Sequence, residues 1–298
     1  MTMARGIRHM AAAVLASLAL ALAGCFMSPG RFTSELAITG PDTFTYQYEG
    51  EIFFLGLSKL AMMDAASTAF SASCFDDETL ESRDCTPEEE AEQRAQWDAG
   101  ADARAAEGAG KAKQMAALMG GIDPSDPRAA DELVKLLSRQ QGWDRVVHKG
   151  DGLFEVSYRI TGTMGHDFTF PTIEGFPQTN PFVQVYLRKG GQMRINAPGF
   201  AAQNPEAGGM GALLGAGSLA GMAALGAAES ADGGSAAPIP GLPTIDGTFT
   251  IRTGTGMRIL ANNTDEGPAP AGGAGEALTW QISPRTTQIP TALIAAAP

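Results

Sequence analysis

The chain has 298 residues, and its 21 lysine and arginine residues against 33 aspartate and glutamate residues give a formal net charge of −12 at pH 7. A chain this acidic repels the phosphate backbone of nucleic acids, so we expect no nucleic acid as a partner. The length suffices for one large domain or two small ones.

The first 24 residues have the layout of a secretory signal. Arg5 and Arg8 precede an apolar run from residue 10 to residue 23, and this run is shorter than the about 20 residues that a membrane-spanning helix needs. The run ends in Leu22-Ala23-Gly24-Cys25, which resembles the lipobox of bacterial lipoproteins. An ordinary signal peptide or a short transmembrane anchor is the alternative.

The lipobox resemblance implies that the signal is removed before Cys25, which then carries diacylglycerol and a fatty acyl chain such as palmitate. The mature protein would be a lipoprotein of the bacterial cell envelope, held on a membrane by this lipid. Phe26 is not the aspartate that retains many such lipoproteins in the inner membrane, so the resemblance favours the periplasmic face of the outer membrane. Removing residues 1–24 leaves 19 basic and 33 acidic residues, a net charge of −14. We therefore expect the lipid, and not a basic protein surface, to attach the protein to the membrane.

Residues 25–31 form a short tether of turn-forming residues, and a single domain is predicted over 32–290. The domain opens with a hairpin, in which the cluster Gly40-Pro41-Asp42 separates two runs of strand-forming residues. The second run alternates strictly and places Phe44, Tyr46 and Tyr48 on one face. This face is therefore expected to be buried.

Residues 55–142 predict a helical insertion between strands, because their apolar residues change to helical spacing from Leu55 onward. Thr86-Pro87-Glu88-Glu89 combines an N-cap threonine, a proline at the first helical position and a glutamate three residues after the cap, which is a strong helix start. Further helices are predicted over 101–119 and after Ser125-Asp126-Pro127.

Cys74 and Cys85 are the two cysteines outside the lipobox. Disulfides persist in exported proteins, so this pair predicts a disulfide bond. The alternative, a pair of metal-binding thiols, lacks the Cys-x-x-Cys spacing and the histidines that zinc sites use.

Strand patterns return after residue 142. Alternation from Phe154 to Thr161 predicts a half-buried antiparallel strand, and Gly190-Gly191 separates the two arms of a further hairpin. Residues 201–243 form a long linker whose segment 207–228 is rich in Gly and Ala, with a membrane or partner contact as the alternative. The remaining predicted strands and the tail are 248–253, 257–262, 278–282 and 291–298.

Together these elements predict an α+β fold with one antiparallel sheet, a helical insertion and a flexible linker rich in Gly, Ala and Pro. The lipobox, the early strand pair, Gly256-Met257-Arg258-Ile259-Leu260-Ala261-Asn262 and the late Leu278-Thr279-Trp280 resemble the LppM-like envelope lipoproteins. This resemblance implies an α+β envelope domain without catalytic residues. The insertion and the Gly/Ala linker are additional to the pattern of that family.

Candidate chemistry is sparse in this sequence. His166-Asp167 places an imidazole next to a carboxylate, as a general base requires, but no nucleophile motif accompanies the pair. Nine acids lie between Asp76 and Glu92, where calcium binding competes with the simpler interpretation of a solvated helix N-terminus. We therefore predict no catalytic residue, no metal and no cofactor.

The aromatic face leaves two interpretations open. Tyr46, Tyr48, Phe154 and Tyr158 either line a pocket for a lipid or another apolar ligand, or form core against the helical insertion. The leading functional hypothesis is a non-enzymatic interaction or assembly module that contacts other envelope proteins. A periplasmic binder of an apolar ligand and an envelope hydrolase are the alternatives.

Overall fold

The computed structural model describes residues 27–58, 70–76, 82–176, 181–201, 244–272 and 275–296. The strands of these residues are β1 (Met27–Ile38), β2 (Thr43–Phe54), β3 (Cys74–Phe75), β4 (Ser82–Arg83), β5 (Trp143–Gly150), β6 (Leu153–Thr163), β7 (Phe168–Phe170), β8 (Val183–Arg188), β9 (Gln192–Asn196), β10 (Asp246–Thr253), β11 (Met257–Asn262), β12 (Ala269–Pro270), β13 (Glu276–Ile282) and β14 (Thr291–Ala296). The helices are α1 (Pro87–Ala99), α2 (Ala101–Leu118) and α3 (Ala129–Ser138), with single 3-10 turns at Leu55–Leu57 and Pro198–Phe200.

The described part of the chain is mostly β-sheet. The first sheet has the strand order β12-β13-β10-β1-β2-β6-β5, and the second has the order β11-β14-β9-β8-β7. Every pair in these sheets is antiparallel except β1 with β10, which run parallel. Strands β3 and β4 pair separately as a small antiparallel ribbon. The structure thus differs from the predicted single antiparallel sheet, since the described residues form two large sheets and the larger one is mixed.

The two sheets pack face to face around one aromatic core. Along β2, buried Phe44, Tyr46 and Tyr48 alternate with more exposed Thr45 and Gln47, as a strand with one covered face requires. The second sheet supplies the covering side chains, and its Phe168 and Phe170 lie 5.0 to 5.3 Å from these three rings, measured between ring centroids. The predicted aromatic face is therefore buried, and a second sheet buries it.

The helical insertion contributes little to this core. Helix α1 has no buried residue, whereas Leu133 and Leu137 of α3 are fully buried and α3 packs against β5. Among the described residues of 55–142, the insertion covers the sheet through Leu57, through α3 and through the segment that leads into α3, where Met119 and Ile122 are buried. Helix α1 presents charged residues on all sides, so it has no apolar stripe to bury.

Two local signals of the insertion are confirmed, the helix start at Thr86 and the disulfide. Thr86 caps α1 as predicted, with its side chain accepting from the Glu89 backbone N–H while the Glu89 carboxylate accepts from the Thr86 N–H at 2.8 Å. The disulfide between Cys74 and Cys85 is present, with 5.2 Å between the two Cα atoms. Gly120 and Gly121 end α2 with positive φ angles of 64° and 92°.

Both ends of the domain differ from the predicted boundaries. The predicted tether, 25–31, overlaps β1, because the chain is already paired at Met27, which lies opposite Phe54. The predicted tail, 291–298, contains β14, which lies inside the second sheet between β11 and β9. The segment is short and follows Pro290, so its sequence alone does not predict a strand. Its pairing with β11 and β9 identifies it as one.

Several predictions fall outside the described residues. These are the signal and lipobox up to Cys25, residues 59–69 of the insertion, and the linker from residue 202 to residue 243. Within the described residues, no helix combines the length and the apolarity needed to cross a membrane.

The central position of β14 predicts a large difference between two isoleucines five residues apart. Ile294 is fully buried, whereas Ile289 is 45% exposed. We expect Ile294→Ala to lower the free energy of unfolding by about 2–5 kcal/mol because it leaves a cavity in the core. Ile289→Ala should change it by no more than about 0.5 kcal/mol. Urea unfolding measures both, and equally small changes would show that residues 291–298 are a tail after all.

Candidate functional site

The four candidate ligand-binding side chains belong to the filled interior. Tyr46, Tyr48 and Phe154 are fully buried and Tyr158 is 8% exposed. Both buried hydroxyls have partners, since the Tyr46 hydroxyl accepts from Ser34 Oγ at 3.0 Å and Tyr48 donates to the Glu51 carbonyl oxygen at 2.7 Å. Burial raises the pKa of both tyrosines, so they stay neutral.

Aromatic rings occupy the space in front of these side chains. Phe170 lies 4.6 Å from Tyr158 and 5.2 Å from Tyr48, and Phe54 lies 5.2 Å from Phe154, all measured between ring centroids. Offset and edge-on contacts at such distances are those of a packed core. The core interpretation accounts for these four residues. Phe168 and Phe170 of the second sheet cover Tyr46, Tyr48 and Tyr158, whereas Phe154 contacts Phe54 of the neighbouring strand in the first sheet.

The structure does not join His166 and Asp167 as an acid–base pair. The imidazole Nδ1 of His166 lies 2.8 Å from the backbone oxygen of Asp167, whereas the Asp167 carboxylate accepts from the Leu187 N–H at 2.8 Å. Asp167 therefore extends the pairing of β7 with β8 by one side-chain hydrogen bond. Both residues are exposed, so the pair lies on the surface of the domain.

The acidic segment of α1 is organised by hydrogen bonds. Arg83 donates to both carboxylate oxygens of Glu89, at 2.9 and 2.6 Å, and the capping contact of Thr86 adds a backbone N–H. Hydrogen bonding to Arg83, then to the Thr86 backbone, lowers the pKa of Glu89 to about 2. In the part of the chain that the structure describes, no group of three or more metal-binding side chains comes together.

A face that sequence reasoning missed lies on the outside of the second sheet. One row of paired residues crosses four strands, from Arg188 through Gln192 and Ala295 to Arg258. In the next row on the same side, Arg194 lies opposite Tyr186. The three arginines are exposed. We call this surface the arginine face and define it by Tyr186, Arg188, Arg194 and Arg258.

A shallow pocket opens on the arginine face. It has a volume of about 360 Å³ and is lined by Asp167, Tyr186, Leu187, Arg188, Arg194 and Asn196. Arg194 donates to the Asn196 side chain at 3.3 Å, and Asp167 is the one acid in the lining. Guanidinium groups beside a phenol and an amide suit carboxylate or other oxyanion groups.

Charges on the two outer faces of the sandwich are arranged differently. On the first sheet Arg31 pairs with Glu51 at 2.6 Å, Arg145 with Glu155 at 2.7 Å, and Arg252 with Glu35 at 2.8 Å, whereas Arg159 donates to the Gln47 side chain at 3.0 Å. Across the described ranges, no carboxylate lies within 4 Å of Arg188, Arg194 or Arg258. Although the chain has more acidic than basic residues, the arginine face holds three arginines that form no ion pair with any carboxylate in the described part of the chain.

The sequence contained only part of the signal for this face. Alternation along β8 and β9 separates Val183, Val185, Met193 and Ile195 from polar neighbours, which identifies an outward side for each strand. Arg258 lies more than 60 residues further along the chain, so only the pairing through β14 shows that it shares the surface.

Comparison with known proteins gives no match: no protein-family model, no curated protein and no solved structure is significantly similar to the chain. The resemblance to LppM-like lipoproteins therefore stays a prediction.

The Arg83–Glu89 contact predicts how the Glu89 carboxyl titrates. Its folded-state pKa is lowered from 4.5 to about 2, so the contribution of this contact to α1 is complete above pH 4.5 and is lost as the pH falls towards 2. We expect an NMR titration of the Glu89 carboxyl carbon to show a midpoint near pH 2. Arg83→Ala should move the midpoint towards 4.5, and an unchanged midpoint in that variant would exclude Arg83 as the cause.

Proposed function

We propose that the protein is a lipid-anchored lipoprotein of the bacterial cell envelope, and that its α+β domain acts as a non-enzymatic interaction module. The anchor is the lipid on Cys25, and the periplasmic face of the outer membrane is its proposed location. The arginine face carries this proposal. Its arginines are exposed, and no carboxylate of the described residues forms an ion pair with them. The implied partner is an envelope protein with an acidic surface.

Electrostatics favours a partner of this kind. Complementary charge steers association and fixes the register of a contact more than it adds raw affinity. Arginine is the cation best suited to such a surface, because its planar group holds carboxylates with two parallel hydrogen bonds. Three arginines spaced across four strands would fit an extended acidic segment better than one small anion.

The alternative functions have less support. An apolar binder needs an open cavity beside Tyr46, Tyr48, Phe154 and Tyr158, where aromatic rings are packed. A hydrolase centred on His166 needs a carboxylate on its imidazole, whereas Asp167 directs its carboxylate to the Leu187 N–H. The interaction module requires neither feature.

The anchoring part of the proposal predicts the fate of Cys25→Ala. We expect this variant to remain an unprocessed precursor and to incorporate no labelled palmitate, because the proposed lipid-bearing thiol is gone. The control is the double variant Cys74→Ala/Cys85→Ala, which should still be labelled. Palmitate incorporation in Cys25→Ala would show that the lipobox interpretation is wrong.

The interaction part predicts the effect of reversing charge on the arginine face. In the envelope, we expect Arg188→Glu/Arg194→Glu to reduce crosslinking to the partner about tenfold or more, the equivalent of about 1.4 kcal/mol. Arg159→Glu/Arg285→Glu carries the same change in net charge at exposed positions outside the arginine face and should crosslink normally. Equal crosslinking by both double variants would contradict a role for the arginine face.

A further inference from the structure

The distance between the proposed lipid and the folded domain is very short. Only Phe26 separates Cys25 from Met27, where β1 begins and is already paired with Phe54. Two residues of extended chain span at most about 7 Å. The bilayer surface must therefore lie close to the start of β1.

The register identifies the residues that share this end of the first sheet. Ser28 lies opposite Phe53, Phe53 opposite Leu153, and Leu153 opposite Gly150. Since neighbouring strands are about 4.8 Å apart, this row extends about 14 Å from β1 to β5. We call this end of the sheet, with the turn of residues 150–152, the anchor end.

The turn of the anchor end is held firmly against β2. The backbone N–H of Phe54 donates to the Gly152 carbonyl oxygen at 2.8 Å, and a Cβ at Gly152 would approach the Phe54 carbonyl oxygen to 2.5 Å. Gly152 also has a φ angle of 72°, which favours glycine. The turn is thus fixed in place beside the strand end nearest the proposed lipid.

The opposite end of the sheet lies a full strand length away. Ile38, at the end of β1, pairs with Phe44 and Thr253, and the Gly254 N–H donates to its carbonyl oxygen at 2.7 Å. The 11 steps from Met27 to Ile38 correspond to about 35 Å. We call this the far end, with its turns at residues 39–42 and 254–256.

We propose that the domain stands on the bilayer with the anchor end against the lipid headgroups and the far end directed away from them. This inference rests on the proposed lipidation of Cys25. Exposed His148, Lys149 and Asp151 at the anchor end are polar, so they would lie among headgroups rather than in the hydrocarbon core. The lipid on Cys25 enters the bilayer. Because Phe26 alone separates Cys25 from β1, the anchor end is the end of the domain that touches the membrane.

The orientation can be tested with fluorescent labels at the two ends. Lys149→Cys places a thiol at the anchor end and Thr255→Cys places one at the far end, both at exposed positions. Cys25 would be lipidated and Cys74 and Cys85 are bonded to each other, so the new thiol alone reacts with a nitrobenzoxadiazole label. The lipidated full-length variants are reconstituted in phosphatidylcholine vesicles that carry a nitroxide quencher on the headgroup.

We expect the nitroxide to quench the label at position 149 at least threefold more than the label at position 255. Equal quenching, stronger quenching at 255, or no quenching at either position in protein that floats with the vesicles would overturn the proposed orientation. Protein that does not float with the vesicles and lacks the mass of the lipid would instead contradict the anchor itself. Asp151→Cys and Asp42→Cys give a second pair if either of the first two variants fails to fold.

Discussion

The pairing of β1 with both β2 and β10 is the constraint on which the rest of the structure depends. It joins parts of the chain that are more than 200 residues apart, and it does so at Phe32, which lies opposite Gly50 on one side and Gly247 on the other. A Cβ at Gly50 would collide with the Arg31 backbone, and a Cβ at Gly247 would collide with Phe32. The two glycines therefore let three strands approach closely around an aromatic side chain that stacks on Phe200 at 4.3 Å between ring centroids. This stack joins the first sheet to the chain that leaves the second sheet, so register and sandwich packing are fixed at one place.

Elements with a strong local signal could be predicted from the sequence. Thr86 and Glu89 form their reciprocal cap because both partners lie within one helical turn, and Gly190-Gly191 turns the β8–β9 hairpin through positive φ angles of 80° and 71°. The alternation along β6 is visible because one of its faces is covered along most of its length. In each case the residues that decide the structure are neighbours in the chain.

The choice of partners could not be predicted in the same way. One of the two interpretations of the aromatic face of β2 packs it against helices, yet α1 lacks an apolar stripe, while β7 and β8 present Phe170 and Val183 towards that face. The strands predicted over 248–253 and 257–262 follow each other closely in the sequence, but β10 and β11 belong to different sheets, so the chain passes from one layer to the other at residues 254–256. The arginine face has the same origin, since it combines strands that only become neighbours through β14. Partner choice depends on shape and burial across the whole core, which periodicity along one segment does not encode.

The proposed orientation restricts what the arginine face can contact. Near the start of β8, Val183 pairs with Phe170, whose ring contacts Tyr48. Two residues later, Val185 pairs with Phe168, whose ring contacts Phe44. Strand β8 therefore runs in the direction from Tyr48 to Phe44, which is towards the far end. Arg188 therefore lies towards the far end, and Arg258, which follows Gly254 closely, lies there too. If the anchor end rests on the bilayer, these arginines lie nearly one length of β1 from it, about 30 Å at the rise per residue of a strand. This distance is several Debye lengths at physiological salt, so the surface charge of that membrane is screened there. Anionic headgroups beneath the domain are then too remote to be the partner, so the arginine face would be available to an acidic surface that approaches from the aqueous side.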